Sequence, residues 1–161
     1  RVYYPHGNIL LGVNSNGEEE KICQQPGISL LSTILSKWSD DIDFYPLFVC
    51  EGSSKEKVNS ISRNYYLSYI YRNILPQLPN TIICYGWSLS ENDEHILKQI
   101  LKDSQRNHKL IISIRTTNKS DSQIEAECTN IKNRINNINN TTEVHFFNSS
   151  DEGCWLNYNT N

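Results

Sequence analysis

The sequence predicts an α/β fold: a doubly wound, mostly parallel sheet of about four or five strands with helices on both faces. Three observations lead there. From Phe44 onward, apolar runs of strand length alternate with helical patterns. The runs are near-continuously apolar, as parallel strands covered on both faces are, rather than alternating in polarity. Finally, Ser53, Ser90 and Ser120 each stand three residues before an acidic or amide residue (Glu56, Asp93, Gln123). That is capping-box spacing, with Asp substituting in the second case, at three expected helix starts.

Each element has its own signature. "VYYPHGNILLGV" reads as a strand interrupted by Pro5 and turned at Gly7, "NSNGEEEK" as a polar turn, "ISLLSTILSKW" as an apolar stretch with helical spacing, and "SDDID" as a solvated loop. "FYPLFVC" is a short apolar run expected to form the first strand of the alternating region. "KEKVNSISRNYYLSYIYRNILPQL" (55–78) predicts one long helix that Pro79 stops. "TIICYGW" predicts a strand, "ENDEHILKQILKDSQRN" a helix, and "KLIISIRT" another strand. From Asp121 to Ile138, Ile124, Cys128, Ile131, Ile135 and Ile138 recur every three or four residues, one apolar stripe on a helix. "EVHFF" is the last expected strand.

Residues 1–161 are expected to form one α/β domain, long enough to bury a core. It would have an irregular lead-in (1–43), a βαβαβαβ core (44–149) and a tail (150–161). Because the chain begins at Arg1 and contains no Met, it is expected to be a fragment of a larger protein.

A formal net charge of −3, with Lys and Arg scattered, argues against a nucleic-acid surface, which shows a basic stripe. No apolar run approaches the roughly 20 residues that span a bilayer, and no signal peptide opens the chain. The five cysteines are odd in number and include no C-x-x-C pair, so neither a disulfide framework nor a metal site is expected. Cys50 and Cys84 sit in apolar runs, where Cys is a small core residue. The expected compartment is the cytoplasm.

In an open parallel sheet, ligands bind at the carboxyl ends of the strands. Three segments are expected at that edge: "CEGSS", "GWSLSEND" and "RTTNKSD". Each brings small and hydroxyl- or amide-bearing residues to a helix start, where free N–H groups favour an anion such as phosphate. Plain capping explains Ser53, Ser90 and Ser120 without a ligand; three such elbows on one edge favour a nucleotide-sized pocket. No G-x-G-x-x-G, P-loop, G-x-S-x-G or H-E-x-x-H occurs.

His6, beside Gly7 at the end of an apolar run, is the candidate general base, since imidazole titrates near the working range. The bland alternative is a histidine satisfying a loop carbonyl. His95 is expected to be structural, His108 to sit at a helix C-terminus where positive charge is favoured, and His145 to be core or edge. Glu51, Glu91 and Asp93 could act as acids or bases, or simply favour helix N-termini.

"YYPHGNILLG", "PLFVCEGSSKEK" with "NYYLSYIYRNI", and "IICYGWSLSENDEHIL", in that order and spacing over residues 2–115, resemble a bacterial family grouped with the sirtuin-like, NAD-binding fold. The resemblance implies a Rossmann-like domain of which this chain is the C-terminal portion. It implies that His6 with Gly7 matches the catalytic H-G pair. Gly86, Ser88 and Leu89 match the G-x-S-L element that contacts NAD phosphates, and Asn118 matches the Asn of the loop at the adenosine ribose. The loop at 148–151 falls on the adenine side. The glycine-rich first NAD loop, the Asn-Asp element and the zinc-binding cysteines of true deacylases are not in this chain, so protein deacylation is not expected. Relatives without the zinc module often consume NAD in antiphage defence.

The resulting expectation is a domain that binds NAD or a related nucleotide and, if catalytic, hydrolyses the nicotinamide–ribose bond with His6 as base. The alternative is a non-catalytic nucleotide-sensing or protein-interaction module of Rossmann-like fold; a third reading is a scaffold whose elbows are caps only. The tyrosines of 55–78 exceed what one buried stripe needs, so that segment is expected to pack in part on a partner or on a missing N-terminal region.

Overall fold

A computed structural model describes residues 1–40, 43–151 and 154. Most of the expected tail, and part of the expected loop at 39–43, lie outside the described residues. The chain forms two compact units, Arg1–Ile74 and Leu75–Asn161. The fold is mixed α/β, with a three-stranded parallel sheet.

The first unit is built on a three-stranded antiparallel sheet in the order β2-β1-β3, with β1 at Gly7–Asn14, β2 at Glu19–Lys21 and β3 at Phe44–Phe48. Asn14 makes the β1–β2 hairpin by accepting the N–H groups of Asn16 and Glu18 at its side-chain Oδ1 (3.0 and 2.9 Å). Helices cover both faces. Leu30–Asp40 (α1) lies over Ile22 and Phe44, where Ile34, Leu30 and Trp38 pack. Ser54–Ser62 (α2) and Tyr65–Tyr69 (α3) bring Ile61 and Leu67 onto Leu11 and Leu47.

Two expectations fail in this unit for identifiable reasons. "FYPLFVC" does not enter a parallel sheet. It pairs antiparallel with β1, on the edge of its sheet, the position that tolerates the missing N–H of Pro46. Cys50 lies beyond the strand end and is exposed. The single helix expected over 55–78 is broken. Asn64 is extended (φ −118°, ψ 134°), and the chain restarts at α3, whose first two N–H groups, of Tyr65 and Tyr66, go to the Glu19 carboxylate (2.5 and 2.7 Å). A π-turn at Ile70–Ile74 and a 3-10 turn at Leu75–Gln77 follow, where Pro76 cannot supply the helical N–H.

The second unit carries Thr81–Cys84 (β4), Lys109–Ile114 (β5) and Glu143–Asn148 (β6), parallel and in that order. The crossovers hold Glu94–Ile100 (α4) and Asp121–Ile138 (α5). Ser120 closes a complete capping box with Gln123, as Ser53 does with Glu56 in the first unit. The expected third box is absent. Ser90 starts a 3-10 turn (Glu91–Asp93), and neither it nor Asp93 makes a side-chain cap bond. The shorter Asp side chain is the substitution that departs from the box.

Register places Ile82, Cys84, Leu110, Ile112, Ile114, Val144 and Phe146 on one face of this sheet, where they are buried or half-buried. The other face presents Ile83 (67 % exposed), Ile111, His145 and Phe147, with the Tyr85 ring stacked on Phe147 at 6.3 Å. Helices on both faces were expected from the apolar runs. The exposure of Ile83 shows that this second face is not fully covered.

Candidate functional site

At the carboxyl edge of the parallel sheet, the chain leaves β4 through an elbow with two left-handed residues, Gly86 (φ 69°) and Leu89 (φ 51°). Glycine adopts this conformation freely; for leucine it costs on the order of 1–2 kcal/mol, which the surroundings must over-determine. Here the Leu89 side chain is 2 % exposed, and its carbonyl accepts a 2.6 Å hydrogen bond from Arg134 Nη1 on α5. The Gly86 N–H donates to Ser113 Oγ at 3.0 Å, tying the elbow to the end of β5.

Beyond this elbow lies a cavity of about 430 Å³. Ser88, Ser113 and Ser149 bring hydroxyls to it, Arg115 and Lys119 bring cations, and Trp87 and Tyr85 bring aromatic surface. Glu127 and Ile131 of α5 close one side, and Glu127 is ion-paired with Lys119. The neighbouring loops are knitted by Asn148, which accepts from Thr116 Oγ1 and from the Ser150 N–H and donates to Asp151 (2.9, 3.0 and 2.8 Å). Hydroxyl donors, two cations and aromatic faces on a mostly preformed edge suit an anionic ligand carrying a planar ring.

Of the residues singled out from the sequence, Gly86 and Ser88 line this cavity. Leu89 is in the core, and its backbone shapes the elbow. Asn118 is exposed at φ 61° in a turn closed by the Lys119 N–H on Thr116 O (3.1 Å), between the lining residues Arg115 and Lys119. His6 and Gly7 belong to the first unit. His6 is half-buried in the turn before β1, its carbonyl accepting the Val49 N–H at 2.7 Å, and Gly7 has φ 75°. The "CEGSS" segment, also in the first unit, supplies the Ser53–Glu56 capping box, whose hydrogen bonds from Ser53 hold the Glu56 carboxyl below its usual range.

Sequence reasoning missed Ser113 and Glu127, and it reached Arg115, Lys119 and Ser149 only as members of "RTTNKSD" and of the loop at 148–151, without singling them out. The signal for Ser113, Arg115 and Lys119 was present in "SIRTTNK", two basic residues flanking the loop after an apolar strand; Glu127 required the helix phase.

The histidines fall in different settings. His145 is exposed and bonds Glu143 Oε1 at 2.5 Å, which holds that carboxyl low. His95 is buried. His108 does not cap a helix: it is 1 % exposed just before β5, and neither ring nitrogen has a hydrogen-bond partner among the described residues. Burial, aided by the Arg106 charge and opposed by Asp103, pushes its pKa below the ordinary 6.5. The neutral ring is therefore the native form, and the unfolded chain binds the proton more readily. Stability is complete above the unfolded pKa of about 6.5 and falls as pH drops below it, at up to about 1.4 kcal/mol per pH unit. Urea midpoints measured from pH 8 to pH 5 are expected to fall more in the wild type than in His108→Leu.

The sequence model of one family, described as Domain of unknown function (DUF4917), matches residues 1–155. Comparison with curated proteins and with solved structures gives no match.

Proposed function

The chain belongs to the DUF4917 family, and from that premise we propose that it binds an anionic nucleotide, NAD or a relative, in the cavity at the carboxyl edge of its parallel sheet. One observation carries the reading. Three serine hydroxyls, Arg115 and Lys119 converge with Trp87 where parallel α/β sheets take ligands. The sirtuin-like resemblance of the "GWSL" elbow and of "YYPHGN" supports it, as does a volume within the range of small-molecule pockets. In this reading the parallel strands belong to a doubly wound, Rossmann-like sheet, and the protein works in the cytoplasm. The Tyr-rich segment 55–78 faces a partner. The catalytic part rests on the resemblance alone, which assigns His6 as the base in hydrolysis of the nicotinamide–ribose bond, an activity of antiphage type.

Calorimetric titration with NAD, ADP-ribose and AMP tests the binding. Saturable binding of the diphosphates is expected, and Arg115→Ala is expected to weaken it about tenfold, the worth of one charge-assisted phosphate contact. No heat with any of the three sinks the reading. Free nicotinamide released from NAD tests the catalysis, and release that survives His6→Ala removes His6 from that role.

A non-catalytic nucleotide sensor is the second reading, and one feature favours it. Among the described residues, the cavity lining holds no imidazole or thiol, and its single carboxylate, Glu127, is ion-paired. Binding without turnover supports it.

A further inference from the structure

The first unit has a cavity of its own, about 390 Å³, that the nucleotide reading does not use. Its floor is apolar, formed by Leu11 and Leu47, both buried. Its walls are aromatic, formed by Tyr65, Tyr66 and Tyr69, and its rim carries Glu19, Glu20 and Lys21. The Tyr65 and Tyr69 rings lie nearly parallel, 19° apart with centroids at 6.4 Å, although Tyr65 is 80 % and Tyr69 46 % exposed. Tyr66 is held by its hydroxyl, which accepts the Tyr4 N–H at 3.2 Å.

The carboxylate at the wall is fixed rather than mobile. Each Glu19 oxygen accepts one backbone N–H, from Tyr65 at 2.5 Å and from Tyr66 at 2.7 Å, and an oxygen with one such bond keeps a lone pair for a second donor. Glu20 is paired with Lys37 at 3.1 Å, leaving Glu19 and Lys21 as the other charges of the rim among the described residues. Aromatic faces are electrostatically negative and attract cations, and an apolar floor accepts an alkyl stem. Two exposed, stacked tyrosines over a leucine floor add little to folding, since an i,i+4 pair on an exposed helix face is weak.

We propose that this cavity binds an alkylammonium group, a quaternary or protonated amine on an apolar stem. Tyr65 and Tyr69 would hold the cation, Glu19 would complement its charge, and Leu11 and Leu47 would receive the stem. The ligand class follows from tyrosines and a carboxylate around an apolar floor; an apolar ligand would gain nothing from the carboxylate, and an anion would be repelled by it.

The test titrates the isotope-labelled chain, at low salt, with choline and with its neutral carbon isostere 3,3-dimethylbutan-1-ol. Choline is expected to shift the signals of Tyr65, Tyr66 and Tyr69 and to bind at least about fivefold more tightly than the isostere. Tyr69→Ala is expected to weaken choline binding about three- to tenfold and Tyr69→Phe to retain it; Lys21→Gln, which removes the opposing charge, is expected to tighten it. Tyr69 is half-exposed, so its replacement leaves the fold intact, which an unchanged urea midpoint verifies. A second arm compares choline with Nα-acetyl-trimethyllysine amide, and the tighter of the two identifies a free amine or a protein side chain as the source. Equal binding of choline and the isostere, or no tyrosine shift with either cation at tens of millimolar, overturns the proposal.

Discussion

Gly7→Ala is expected to destabilise the first unit by about 3 kcal/mol, read as a lowered urea midpoint, with loss of the β1–β3 pairing. Gly7 has φ 75°, which alone costs an alanine about 1 kcal/mol. The larger part is overlap. A Cβ there would stand 1.8 Å from the Leu47 carbonyl oxygen, 2.8 Å from its carbon and 2.9 Å from Phe48 Cα. All three are backbone atoms of β3, so nothing short of separating the strands relieves the contact. Gly86→Ala provides the control. Its φ is 69°, nearly the same, but a Cβ there meets nothing within 4 Å among the described residues, so only the conformational cost of about 1 kcal/mol is expected. The comparison also bears on the H-G pair. Its glycine has a packing reason to be there whatever His6 does, so loss of activity in Gly7→Ala carries no information about catalysis.

The same residues show where sequence was a good guide. Asp121–Ile138 was legible to its ends because a capping box and an apolar stripe both act within the helix. The three parallel strands were legible because their apolar runs are short, rich in β-branched or aromatic residues and bounded by turn residues, the features that set a strand apart from a buried helix. Strand partners were not. "FYPLFVC" looks like its parallel counterparts, and its pairing with β1 depends on Gly7 and Gly12 lying close against β3, a non-local fact. The break at Asn64 was hidden because the carboxylate that receives the next two N–H groups comes from Glu19, far back in the chain. The site divides likewise. Gly86 and Ser88 sit in a local elbow with a readable pattern, whereas Ser113, Glu127 and Ser149 reach the cavity only through the register of β5, the phase of α5 and the exit of β6.

Arg106→Ala is expected to lower the stability of the second unit by about 2–3 kcal/mol, since its charge-assisted bonds to carbonyls are lost and their acceptors are left unpaired. Arg106 lies in the loop between α4 and β5. Its guanidinium donates to the carbonyls of Pro76 and Leu78, both at 2.7 Å, and through Nε and Nη2 to Asn80 Oδ1 at 3.0 and 2.6 Å. These bonds fix the segment that delivers the chain into β4, next to the Lys109 N–H on Asn80 O (2.7 Å), the first contact between β4 and β5. Because Arg106 is partly exposed and its bonds are cooperative, the loss is well below the sum of four separate contacts. Arg106→Lys is expected to recover less than half of it, because a single ammonium cannot reproduce a planar fork reaching three residues. Removing the charge also relieves the neighbouring His108, so its pKa should rise towards 6.5 in either a glutamine or an alanine variant, and the acid-side fall in stability should become shallower. The cavity lies at the carboxyl edge of this sheet and Arg106 at the amino edge. Nucleotide affinity measured well below the melting temperature is therefore expected to survive Arg106→Lys while the urea midpoint drops, which separates an anchor of the fold from the groups that hold the ligand.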